Sequence, residues 1–207
     1  MKSKTPLELN FYHGSPCRIE KFSFEFTGRA INYHGSGFYF TTSVKDARVY
    51  CEPREGSQKI TFTNLNPTIH KVKLSIANPL SDKHIQPLTL EQVKAIARRS
   101  PKLEEALEDF DDVGRFGLEK VLNTAAKGFV GHDDMTLLMN LNSLSNDLFG
   151  PYIEAFNHAV KDVLGYDGLL AKVKNSWVAV AWFPEQIEIL SRTPFKDPHV
   201  ASDMEPS

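Results

Sequence analysis

Hydrophobic periodicity along the chain changes twice, from two residues to about 3.6 near residue 80 and back to two after residue 164, and that order restricts the folds available. Leu7, Leu9, Phe11 and His13 alternate with Glu8, Asn10 and Tyr12, which predicts a strand with His13 on its apolar face, ended by Gly14-Ser15-Pro16. Phe22, Phe24 and Phe26 alternate again, and a loop over Asn32-Tyr33-His34-Gly35-Ser36-Gly37 leads into a short strand, Phe38-Tyr39-Phe40. Ser43 with Asp46 three residues on reads as a capping box, opening a helix whose buried stripe is Val44, Ala47 and Cys51. A polar turn over 53–58 precedes Ile60-Thr61-Phe62. Val72, Leu74 and Ile76 then alternate with Lys71, Lys73 and Ser75 in a strand stopped by Asn78-Pro79.

The middle segment reads as helices. Thr89 with Gln92 caps a stripe of Leu90, Val93 and Ala97; Leu103, Leu107 and Phe110 form a second; Ile153, Phe156, Val160 and Val163 form a last one, ended by Gly165. Asp167-Gly168 turns into Leu169-Leu170-Ala171, and Trp177 to Trp182 is a nearly continuous apolar run that reads as a buried strand. Strands, then helices, then strands predict an α+β core with a helical insertion. The expected organisation is a single domain over 1–191, with the insertion at about 80–164 and a tail over 192–207 too poor in apolar residues to pack. A chain of 207 residues buries roughly 70% of the surface it exposes when unfolded, so such a core needs no covalent staple.

A net charge of −2 gives no whole-molecule attraction to nucleic acid or to an anionic membrane. Cys17 and Cys51 make no disulfide framework and have no metal-ligand spacing with any histidine pair, so no metal is expected and a reducing, cytoplasmic setting is the default. That setting is the chain's own cell or, for an effector, the target cell. No apolar run reaches membrane-spanning length. Phosphate-binding Walker loops, Cys/His clusters and Gly-x-Ser-x-Gly elbows are all absent. The acidic run Glu104, Glu105, Glu108, Asp109, Asp111 and Asp112 reads as a solvated helix face before it reads as a docking site for a basic partner.

Chemistry concentrates in two short pieces. Phe11-Tyr12-His13-Gly14-Ser15 ends a strand on a histidine and a glycine. Gly35-Ser36-Gly37-Phe38-Tyr39-Phe40 puts a tyrosine on a strand, with Tyr50 eleven residues later on the following helix. Two such rings can hold a flat amide ring from both faces. Tyr39 alone, inside a Phe-Tyr-Phe run, reads as a core residue, and His13 alone reads as a satisfied core histidine; the Gly-x-Gly, the capping box and Tyr50 in register turn the reading to function. Tyr-His-Gly-Ser recurs at 33–36, which makes His34 a rival to His13; its glycine-flanked loop suits a turn.

These residues resemble the ADP-ribosyltransferase superfamily of the histidine–tyrosine–acid type, the branch of poly-ADP-ribose polymerases, diphtheria-toxin-like enzymes and many bacterial and phage proteins. Lys71 to Pro79, Gly165-Tyr166-Asp167-Gly168 and Phe183-Pro184-Glu185-Gln186-Ile187 resemble later strands of phage-type members, whereas 80–164 resembles nothing in particular. The resemblance implies a split-sheet core and NAD as substrate. His13 would hold the ribose hydroxyls, the Gly14 backbone would bond the carboxamide, Tyr39 and Tyr50 would sandwich the nicotinamide, and Ser15, Gly37 and Phe40 would complete the NAD-binding set. The family's acid lies about eight residues before the Gln of Pro-x-Gln-Ile. Counting back from Gln186 reaches Val178, and Glu185 and Glu188, which follow Pro184, read as solvated. Mono-transferases with an aliphatic residue there exist in the family. The implied activity is therefore transfer of a single ADP-ribose to an acceptor that is a protein or a nucleic acid. The alternatives are a silent NAD or ADP-ribose binding module, an NAD glycohydrolase, and an RNA 2′-phosphotransferase, which would want basic groups around the pocket. The sequence leaves oligomeric state open.

Overall fold

The computed structural model describes residues 6–26, 36–52, 66–81, 88–108, 137–147 and 152–195, with Lys83, Gln86, Lys120, Asn123 and Phe149 as single positions between them. His34, the second Tyr-His-Gly-Ser apart from Ser36, the expected strand at 60–62, and Asp109, Phe110, Asp111 and Asp112 lie outside these residues. The same holds for the tail from 196 onward.

Among the described residues, seven strands and five helices follow one another as β1 (Phe11–Ser15), β2 (Phe38–Thr41), α1 (Val44–Arg48), β3 (Thr68–Leu74), β4 (Pro79–Ser81), α2 (Leu90–Ala97), α3 (Pro101–Glu108), α4 (Leu137–Asp147), α5 (Ile153–Leu164), β5 (Gly168–Val173), β6 (Ser176–Ala181) and β7 (Ile187–Pro194). The strands make one sheet in the order β4-β5-β6-β2-β1-β3-β7, antiparallel except for β4 with β5. Pairing is uneven across it. β1 matches β3 at every residue from Phe11 to Ser15, and β2 matches β6 from Phe38 to Thr41, but β1 and β2 share only the pair Tyr12 with Thr41.

Two cores lie on the two faces. Phe11, Phe22, Phe38, Phe40, Val72, Leu74, Ala179 and Ala181 form one. The other sits under the helices and contains Leu80, Val93, Ile96, Leu103, Leu144, Phe156, Val160, Leu169, Ala171 and Val180. Each such buried large apolar side chain contributes roughly 1.5–3 kcal/mol. The first and last helices between β4 and β5 are bounded as their end chemistry predicts at one end each. Thr89 and Gln92 form a reciprocal capping box, and α5 ends on Gly165 in the left-handed region at φ 81°.

Three strand expectations are corrected. Leu7 precedes β1, which begins at Phe11 opposite Val72, and Pro6–Glu8 form a 3-10 turn, where a proline offers no N–H to a ladder. Phe22, Phe24 and Phe26 are not extended either. Phe24–Phe26 is a 3-10 turn, and Phe22 packs edge-on against Phe38 and Phe40 while Phe24 packs on Phe38, so for these two the spacing reflects ring packing without a ladder. At the other end β7 runs past Ser191 to Pro194, since β3 extends down to Thr68 and supplies the partners.

Candidate active site

The site grows from the weak seam between β1 and β2. Continuing the Tyr12–Thr41 register would bring Gly14 opposite Tyr39 and His13 opposite Phe40, and neither pair forms. The carbonyl of Tyr39 instead takes its hydrogen bond from a side chain, His13 Nδ1, at 2.8 Å. A carbonyl can only accept, so Nδ1 carries the proton and Nε2 presents its lone pair. Enclosure by the rings of Phe22, Phe40 and His70 disfavours the charged form and lowers the His13 pKa to about 4, against the lesser opposing pull of the Tyr39 carbonyl. The imidazole is thus neutral with a fixed tautomer.

His70, fully buried on β3, backs this ring. Its Nε2 accepts from the Ile19 N–H at 2.9 Å and its Nδ1 donates to the His13 carbonyl at 3.3 Å, and burial lowers its pKa as well. The spacing of Val72 and Leu74 carried the signal for it, because extending that alternation two residues upstream lands on His70.

Gly14 shows why a glycine must follow the histidine. A Cβ there would lie 1.8 Å from the carbonyl oxygen of Ala47, so α1 crosses β1 at backbone contact. The same carbonyl accepts from the Tyr50 N–H at 3.1 Å, which places the start of the Tyr50 turn beside Gly14. Gly37 has a similar reason. A Cβ on it would meet the Ala181 carbonyl oxygen at 2.6 Å and Val180 Cγ1 at 2.7 Å, so glycine lets β2 begin tight against β6.

The remaining expected residues divide between the faces. Phe38 and Phe40 join the aromatic core, while Tyr39 between them is half-buried against the helical core. Phe40 therefore turns away from the Tyr39 side, as does the His13 ring that packs on it. Ser15 is buried and its Oγ accepts from the Cys17 N–H at 3.1 Å. Tyr50 is 57% exposed. Gly14 and the turn of Tyr50 meet at the Ala47 carbonyl of α1, Tyr39 packs against the helical core, and the His13 ring joins the seam from the opposite face.

Val178 is half-buried on β6, directly opposite Thr41, and β6 itself carries no acid. Glu185 and Glu188 are both exposed. Glu185 borders a separate concavity of about 850 Å³ between Phe22, Phe24, Ile187, Ile189 and Arg192, which none of Gly14, Tyr39 and Tyr50 lines. Among the described residues no three His, Cys, Asp or Glu side chains are placed to hold a metal ion, and no helix is long and apolar enough to cross a membrane.

A family model described as ADP-Ribosyltransferase in polyvalent proteins matches residues 6–192. The match takes in both motif pieces, the strands that close the sheet, and the helical segment that resembled nothing in the sequence alone. No curated protein and no solved structure matches the chain.

Proposed function

The chain belongs to the ADP-ribosyltransferases of polyvalent proteins, and from that premise we propose that it cleaves NAD and transfers a single ADP-ribose to a macromolecular target. The observation that carries this reading is the opened seam. His13 Nδ1 is committed to the Tyr39 carbonyl at 2.8 Å, which leaves Nε2 to accept from a ribose hydroxyl, while Gly14 borders the stretch where β1 and β2 do not pair with each other, and its backbone there would bond a carboxamide. Lapsed pairing between β1 and β2 supports a split sheet, with β4-β5-β6-β2 on one side and β1-β3-β7 on the other. Tyr39 and Tyr50 hold the nicotinamide ring, each stack contributing about 1–3 kcal/mol and fixing the leaving group in line with the bond that breaks. An aliphatic residue at Val178 suits single transfer over chain growth. The acceptor is a protein or nucleic acid outside this chain, shaped for by the helices between β4 and β5.

A preformed slot binds the native state alone, so NAD at a hundredfold excess over Kd stabilises the fold by roughly 2.7 kcal/mol. Incubation with adenylate-labelled NAD and a cell lysate is expected to release nicotinamide and leave label on an acceptor. Label recovered wholly as free ADP-ribose would make the protein a glycohydrolase, and a thermal shift without nicotinamide release would make it a binding module. His13→Ala should abolish the shift and His34→Ala should largely keep it. No shift at millimolar NAD removes the proposal.

A further inference from the structure

We propose that Asp46, on α1, supplies the carboxylate that β6 lacks and faces the ribose carbon whose bond to nicotinamide breaks. The inference rests on the NAD-cleaving reading above and names a residue for it. On β6, Ser176, Val178 and Val180 share the face that bears Tyr39, because side chains two apart point the same way and Tyr39 is paired with Val180. Ser176 Oγ lies 3.3 Å from Asp46 Oδ2. The carboxylate therefore stands at the head of this row, beside Ser176 and two strand rises or roughly 7 Å along from Val178. Asp46 is the one acid that α1 and β6 possess between them.

Its freedom for this role comes from a capping box that forms by half. Ser43 Oγ accepts from the Asp46 N–H at 3.1 Å, as Ser-x-x-Asp predicts. The return bond is absent, because Thr41 Oγ1 takes the Ser43 N–H at 3.1 Å. The Asp46 side chain is thereby released from its own helix and turned toward β6. Its position is nevertheless fixed. The Thr42 N–H donates to the Trp177 carbonyl and the Trp177 N–H donates to Thr42 Oγ1, each at 2.9 Å, which locks the corner between β2 and α1 to the start of β6. Ser176 shares its hydroxyl between Asp46 and the Val173 carbonyl at 3.1 Å, so the carboxylate is aimed but not neutralised.

In the step itself the C1′–N bond breaks and its electron pair leaves with nicotinamide, which turns from a cationic to a neutral ring. Positive charge passes to C1′ and the ribose ring oxygen. The acceptor's lone pair forms the new bond to C1′, and its proton passes to water. A fixed carboxylate beside C1′ stabilises that cation and is not consumed.

Asp46→Asn keeps the shape and removes the charge. It should lower kcat for nicotinamide release about 10²–10³-fold, the usual cost of one well-placed electrostatic group, with KM, the NAD-induced thermal shift and the unliganded Tm unchanged. Adding Val178→Glu to that variant should restore turnover, and Glu185→Gln alone should leave it as in the parent chain. Asp46→Asn turning over at the parent rate overturns the inference while the NAD reading stands, and so does a parent chain that NAD stabilises but that releases no nicotinamide. Absence of any NAD-induced shift in the parent chain is a different failure, that of the function itself, and takes this inference with it.

Discussion

A methyl group on Gly14 would sit 1.8 Å from the Ala47 carbonyl oxygen, and because the obstacle is backbone, no side chain can swing aside to make room. α1 would have to lift from β1, carrying the turn of Tyr50 with it. Gly14→Ala should therefore destabilise the fold by about 1–3 kcal/mol, the range for overpacking, and abolish the NAD-induced shift. Urea unfolding and an NAD titration check the two parts; parent-like stability would mean that α1 is not seated on this glycine. His13, Gly14, Tyr39 and Tyr50 could be picked out as a set because each occupies a local pattern: a strand end, a tight approach, a strand, and the turn that follows α1. His70 is not singled out although the alternation of Val72 and Leu74 reaches it, and Asp46 reads only as the partner of Ser43 in a cap. The bonds of these side chains to the Ile19 N–H and to Ser176 join residues far apart in the chain, and such partners leave no mark on spacing.

At the scale of elements, the Pro-Glu-Gln-Ile segment shows the same limit. Resemblance located Gln186, and the structure shows its work. Its Oε1 accepts from the N–H groups of Trp182 and Phe183 at 3.0 Å each, and its Nε2 donates to the carbonyl of Asp167 at 2.8 Å and to Asp167 Oδ2 at 3.2 Å. Asp167 in turn accepts from the N–H groups of Ala77 at 3.0 Å and Asn78 at 2.7 Å. One buried pair thus ties the end of β3, the start of β5 and the turn from β6 to β7. Replacing Gln186 with Leu orphans buried groups at about 1–3 kcal/mol each, so a loss on the order of 3 kcal/mol or more is expected in denaturant unfolding. Gln186→Glu should cost more, since it removes the donor and sets a carboxylate against Asp167. A change below about 0.5 kcal/mol, the range of ordinary surface substitutions, would show that the clasp is not held in solution. Periodicity located the capped helices and β2, β3, β5 and β6. The alternation of Phe22, Phe24 and Phe26 is not a strand, because Phe22 and Phe24 are drawn to the aromatic core from a loop and a 3-10 turn, and such spacing repeats every second residue just as a pleat does.

For the molecule as a whole, the two buried imidazoles make stability depend on pH in a defined direction. His13 has an ordinary value of 6.5 and a folded value of about 4, lowered first by burial, and His70 is displaced the same way for the same reason. Between these values the unfolded chain binds more protons than the folded one, so unfolding becomes easier as pH falls from about 6.5 to about 4, and the full contribution is present above that window. At 1.36 kcal/mol per pH unit the His13 displacement amounts to on the order of 3 kcal/mol. Urea midpoints taken at steps from pH 7.5 down to pH 4 should decline through the window, and His13→Asn, which cannot titrate, should flatten part of that decline. NAD affinity, corrected for the folded fraction, should stay level from pH 7.5 to about pH 5, because the Nε2 lone pair that accepts the ribose hydroxyl persists until the ring protonates. Affinity falling with an apparent pKa near 6.5 would mean that the ring titrates as a solvated imidazole, and the enclosure by Phe22, Phe40 and His70 that keeps it neutral would not hold.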